Sequence, residues 1–311
     1  MLALELSLQL LLLIGLGLFA QKRGIVKGDF DQQLSSFVLN LALPCLIVKS
    51  MSVPYSPEEL RNSLTLLVLS AGVLALQLLL GQGCYLLSGR SGSGRILRFG
   101  VAFTNFTFVG MPVVEALYGQ KGLFYFVIFL VPMRMVYYSS AKPLLSPPGM
   151  AHEERTALQT LKGWLSPPVA AVGVGLLLYL TGIQLPGVVS GVIASVGSIC
   201  SPLGMILCGI SLGKYDFKRL LRPAYLKMPL LRNVVMPALF YGLTRLLPID
   251  PLLGDIVVIF AALPVASLLA AFTIQYEPDP ALRFESAGSV MLSTLLSAVT
   301  IPLWAAVLGM G

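Results

Sequence analysis

The sequence predicts an all-α polytopic membrane protein: ten transmembrane helices in a five-plus-five inverted repeat. Three observations predict it. Of 311 residues, 56% are hydrophobic and 11% charged, and mean hydropathy is +0.86, where a soluble domain carries about 25% charged residues. Apolar runs long enough to span a bilayer, roughly 20 residues each, recur along the chain. Lysine and arginine collect in alternate loops, as the positive-inside rule requires.

The runs fall at 3–21, 31–51, 62–88, 95–118, 121–142, 161–182, 187–212, 224–247, 253–275 and 283–309. The basic side holds Lys22, Arg23, Lys27, Arg90, Arg95, Arg98, Lys142, Arg155, Lys162, Lys214, Lys218, Arg219, Arg222, Lys227 and Arg283. The opposite side holds Lys49, Arg61, Lys121 and Arg245. Both termini are therefore expected outside the cytoplasm, in a cell (inner or plasma) membrane. The first run has no basic residues before it, so it reads as a retained span and not a cleaved leader. The net charge of +7 is scattered between apolar runs, which fits lipid headgroups and not nucleic acid.

The longest polar stretch divides the chain into a first repeat, 1–142, a cytoplasmic linker, 143–160, and a second repeat, 161–311. An odd number of spans per half inverts the second half. Proline punctuation supports the repeat: Pro44 in span 2 recurs as Pro202 in span 7, and Pro112 in span 4 as Pro264 in span 9.

Proline removes an N–H and clashes with the preceding turn. In lipid such a break persists only where it faces protein or a wet cavity. Half-helix N-termini then offer spare N–H groups and a positive dipole end, suited to a carboxylate. Thr104 to Pro112 (TNFTFVGMP) is such a break, with Gly110 permitting close approach and Asn105 supplying a donor and acceptor. Leu263 to Ser267 is its counterpart. Asn105 and Thr107 serve equally well to hold helices together.

At these residues the sequence resembles the auxin efflux carrier family, which includes plant auxin exporters and bacterial organic-acid carriers. The matching stretches are Asn40 to Pro44 (NLALP), Asn105 to Pro112 (NFTFVGMP), Glu115 to Gly119 (EALYG), Ser201 to Gly204 (SPLG), Gly209 to Gly213 (GISLG) and Ala262 to Ala266 (ALPVA). The resemblance implies an architecture like the bile acid:sodium symporters. Spans 4 and 9 are then broken and cross near the midplane, an anion binds at the crossing, access alternates by an elevator motion, and the protein is a homodimer. It implies a substrate contact at Asn105. Thr107, Gly110, Pro112, Pro264, Ala266, Ser267, Asn40 and Pro44 complete the expected binding region. Leu268 and Leu269 stand where relatives often carry an amide, and sodium-coordinating chemistry is thin, so sodium or proton coupling stays open.

Arg134 lies mid-span, where a charge costs about 2.5–3.5 kcal/mol on insertion scales and needs a partner or a cavity. It fits an anion-neutralising role, a pair with Glu115, or a snorkelling position. Tyr137 and Tyr138 suit the cavity or an interfacial belt, the belt being favoured. Glu115 is the proton-coupling candidate. Arg232 and Asn233 read as boundary residues.

The thiols of Cys45, Cys84, Cys200 and Cys208 read as apolar packing, and with one histidine, His152, no metal or cofactor site is expected. Gly209 to Gly213 matches a hydrolase elbow and Ser211 to Lys214 matches S-x-x-K, both without partner motifs. The Asn105 sequon lies at membrane depth. The expected function is a secondary carrier of small organic anions, monocarboxylates or dicarboxylates. A membrane sensor or scaffold that binds an anion or lipid without moving it is the alternative, and no enzyme is expected.

Overall fold

The structure, a computed structural model, describes residues 2–148, 166–214 and 222–309. Most of the linker, His152, and the basic residues Arg155, Lys162, Lys218 and Arg219 lie outside the described residues. Among those described, everything regular is helical, and the sole strand-like feature is an isolated bridge between Thr104 and Val265.

The longer helices are α1 (Leu2–Lys22), α2 (Phe30–Met51), α3 (Pro57–Leu87), α4 (Gly92–Ala102), α5 (Met111–Leu145), α6 (Pro167–Thr181), α7 (Gly187–Gly213), α8 (Met236–Arg245), α9 (Pro251–Ala262), α10 (Leu268–Tyr276) and α11 (Pro280–Val307). Their starts are locally encoded. Ser56 caps α3 through the Glu59 N–H, Ser91 caps α4 through the Gly94 N–H, and Asp279 caps α11 through the Ala281 N–H. Pro57, Pro167, Pro251 and Pro280 occupy first-turn positions, where no N–H is needed.

Among the described residues, five helical stretches are long and apolar enough to cross a membrane: Phe30–Met51, Pro57–Leu87, Phe106–Tyr137, Gly187–Gly213 and Pro280–Val307. The third is interrupted. Gly119 has φ 62° and ψ −156° inside α5, a left-handed φ that glycine adopts without strain. The chain therefore breaks at the expected boundary between spans 4 and 5. Expected spans 4 and 9 are too short as single helices because each is built from two pieces: α4 with Phe106 to Tyr118, and α9 with α10.

One local device occurs three times among the described residues. Wide π-type turns at Val38–Ala42, Phe106–Gly110 and Leu231–Val235 each end two residues before a proline: Pro44, Pro112 and Pro237. A proline ring strikes the carbonyl four residues earlier, and widening the turn relieves that contact. The carbonyls released from ordinary helical bonding are those of Asn40, Phe108 and Asn233. Asn233 O is re-used, accepting from Trp304 Nε1 at 3.2 Å.

Helices α1 and α7 cross backbone to backbone. A Cβ on Gly17 would fall 2.0 Å from Ile206 O, and one on Gly209 would fall 1.9 Å from Ile14 O. The GISLG stretch is thus a packing surface. Helix α2 joins this group through α6 and α7, with Gly197 against the Leu46 backbone. A second group packs α3 on α4 and α5, α8 on α9, and α10 on α11. Outer faces are apolar, as lipid requires: Leu12, Leu16, Leu177, Val188 and Leu303 are exposed.

Candidate substrate site at a helix crossing

The two breaks meet. Asn105 N–H donates to Pro264 O at 2.8 Å, and Ala266 N–H donates to Phe103 O at 3.3 Å. Each break thereby satisfies groups that the other leaves open, without water. Gly110 permits the approach: a Cβ there would lie 2.6 Å from Leu263 Cδ1 and 3.0 Å from the Phe126 ring.

Asn105 is 4% exposed. Its Oδ1 accepts from Phe108 N–H at 3.2 Å, and its backbone carbonyl accepts from Val109 and Gly110. It is therefore the N-cap of the second half-helix. Capping fixes the amide orientation: the NH2 group is directed at Cys208 Sγ, 3.6 Å away. A soft sulfur acceptor is easily exchanged for a carboxylate. Beside it, Thr104 Oγ1 is buried without a hydrogen-bond partner.

Three hollows that share wall residues flank this point. A recess is lined by Thr104, Asn105, Phe106, Thr107, Tyr137 and Ser267, among others. A second touches Asn105, Cys208, Ser211 and Ser267. A larger cavity of about 570 Å³ shares Cys208, Ser211 and Ser267 and extends along α2 and α7 past Asn40 to Asp31 and Lys214. Lys214 Nζ and Asp31 Oδ1 are 2.7 Å apart at that end.

The sequence-selected residues divide. Asn105, Thr107, Tyr137, Ser267 and Asn40 line these hollows. Gly110, Pro112 and Pro44 shape the backbone, and Pro264 and Ala266 supply the pairing groups. The interfacial-belt reading of Tyr137 is overturned: it is 4% exposed and packs among Phe99, Phe103, Phe106 and Phe272. Arg134 is buried, with its guanidinium carbon 5.5 Å over the Phe106 ring and Nη2 near Met111 Sδ. Glu115 sits one turn before Gly119, its side chain a quarter exposed, with Lys49 Nζ at 3.9 Å and Ser201 Oγ at 3.2 Å. It does not line the three hollows.

Arg232 and Asn233 are not boundary residues; both are 0% exposed. The wide turn before Pro237 carries them into the core behind the crossing. Asn233 Oδ1 accepts from Ser293 Oγ at 2.7 Å, and Ser293 Oγ accepts from Val265 N–H at 3.0 Å. This relay satisfies the second break from the far side. A readable signal was present: asparagine stands four residues before proline in both NLALP and Asn233 to Pro237 (NVVMP), where proline frees that carbonyl.

Over residues 2–305 the chain matches the family described as membrane transport protein. The chain belongs to the auxin efflux carrier family. Members of this family are membrane transport proteins, and the apolar outer faces agree. An uncharacterized transporter of Methanothermobacter thermautotrophicus is 27% identical over 308 residues, covering 98% of both chains. An uncharacterized transporter of Methanocaldococcus jannaschii is 25% identical over 320 residues, again covering 98% of both.

Proposed function

We propose that this auxin efflux carrier family member is a secondary carrier of small organic anions working by alternating access. The observation that carries the reading is the paired break. It sets the N-termini of two half-helices, at Asn105 and Ser267, beside hollows with shared walls, and the Asn105 amide NH2 is directed at Cys208 on one of those walls. Spare N–H groups, positive dipole ends and an amide NH2 are complementary to a carboxylate.

In this reading the chain forms ten spans in two inverted halves, with spans 4 and 9 broken. The scaffold group is α1, α2, α6 and α7, and the crossing rides in the other group, which moves as an elevator. The positive-inside rule puts Lys214 on the cytoplasmic side and both termini outside. The 570 Å³ cavity then opens inward. Mechanistically, an anion entering past Lys214 exchanges its hydration for the Asn105 amide, the Ser267 hydroxyl and the half-helix N–H groups. Movement of the crossing group past the α2–α7 wall carries it to the other face. A homodimer through the scaffold helices completes the assembly.

Counterflow of labelled carboxylates in proteoliposomes tests this. Saturable exchange supports the carrier. Carboxylate binding without flux would support the sensor alternative instead.

A further inference from the structure

The ends of the broken helices opposite the candidate anion site pose their own electrostatic problem. Helices α4 and α9 both stop at the crossing and point their C-terminal carbonyls, the negative dipole ends, at one buried spot. Arg232 fills it. Nη1 donates to Val101 O at 2.8 Å, in the last turn of α4, and Nη2 donates to Phe260 O at 3.4 Å, in the last turn of α9. With its amide nitrogen facing α4, Gln77 of α3 donates to Ala102 O and accepts from Arg232 Nη1, both at 3.0 Å. The guanidinium carbon lies 5.9 Å from the Phe260 ring centre. Among the described residues no carboxylate pairs with Arg232. Its charge is met by backbone carbonyls, an amide oxygen and a ring face.

Converging half-helix carbonyls are the groups that coordinate a free cation in carriers built on broken helices. We propose that Arg232 is a tethered cation occupying that position, so that the crossing is held together without a bound sodium ion. Arg232 is a positioning residue. It lines none of the three hollows, and it acts by fixing α4 relative to α9 and so setting where Asn105 and Ser267 stand. A planar fork suits the task because one rigid group reaches two helix ends at once. The corollary for coupling, sodium-independent flux, rests on the carrier reading. The occupancy itself does not.

The test is a set of melts of the purified full chain in choline, sodium and millimolar guanidinium chlorides at matched ionic strength. Wild type is expected to melt at the same temperature in all three. Arg232→Ala is expected to melt several degrees lower in choline and to regain much of that loss in guanidinium and part of it in sodium. Arg232→Met, which fills the volume without charge, keeps the question answerable if the alanine variant does not fold. It is expected to be destabilised, whereas Arg232→Lys, which keeps a charge, is expected to lie closer to wild type and to ignore sodium. Sodium stabilisation of wild type would overturn the proposal, as would a loss that no small cation restores or an Arg232→Met variant as stable as Arg232→Lys. In proteoliposomes, equal flux in sodium and choline is the expected result, and sodium-dependent flux would overturn it. If no carboxylate moves at all, the carrier reading fails while the melts still decide the role of Arg232.

Discussion

The Asn105 N–H donates to the Pro264 carbonyl at 2.8 Å, joining two helix breaks that lie far apart in sequence. Either break alone would leave backbone groups stranded in hydrocarbon, where each costs several kcal/mol. Paired, they form a rigid node, and the capping of Phe108 by Asn105 makes the same residue a structural cap and a donor to the hollows.

Close approach at the node predicts intolerance of bulk. Gly110→Val should lower stability by about 1–3 kcal/mol through overpacking against Leu263 and Phe126. A lowered melting temperature checks this. Gly15→Ala, on a helix face with nothing within 4 Å, should be neutral or slightly stabilising.

The α1–α7 contact predicts a sharper contrast. Gly209→Leu drives a side chain into the Ile14 carbonyl, and a backbone neighbour cannot rotate away. Loss of monodisperse protein in detergent is expected, whereas Gly191→Ala, which meets nothing within 4 Å, should purify as wild type.

The relay behind the second break predicts coupling. Ser293→Ala strands the buried Val265 N–H and should cost about 1–3 kcal/mol. Asn233→Ala removes the acceptor that orients Ser293. The double variant should cost less than the two single losses added, because both act on one network. Additive melts would show the two residues to be independent.

At the cavity mouth, Lys214→Gln should leave stability within about 1 kcal/mol, as for a partly exposed pair, yet raise KM for anions. Asp31→Asn, which releases the lysine, should lower KM. Initial rates against carboxylate concentration at low and high salt decide it, since the effect should shrink as salt screens the mouth.

The sequence made the breaks legible because proline and glycine act on their own backbone. The TNFTFVGMP stretch, the Gly119 boundary and the counterpart at Pro264 could all be placed by local rules. Partnership was less legible. Arg232 beside Lys227 and Pro229 looked like a span end, yet the turn widened by Pro237 buries it against Val101 and Phe260. Tyr137 looked like a belt residue until helix packing enclosed it with four phenylalanines. Cys208 was read as apolar packing, and only the fold shows that it faces the Asn105 amide. Such contacts join residues far apart in sequence, which no local pattern encodes.

The most direct test of the central claim is carboxylate binding and counterflow with Asn105→Ala beside wild type. The account predicts that wild type binds and exchanges a carboxylate, and that the variant stays folded but loses at least about tenfold in affinity, the loss of one charge-assisted hydrogen bond. A folded Asn105→Ala variant that binds and exchanges carboxylates as wild type does would contradict it.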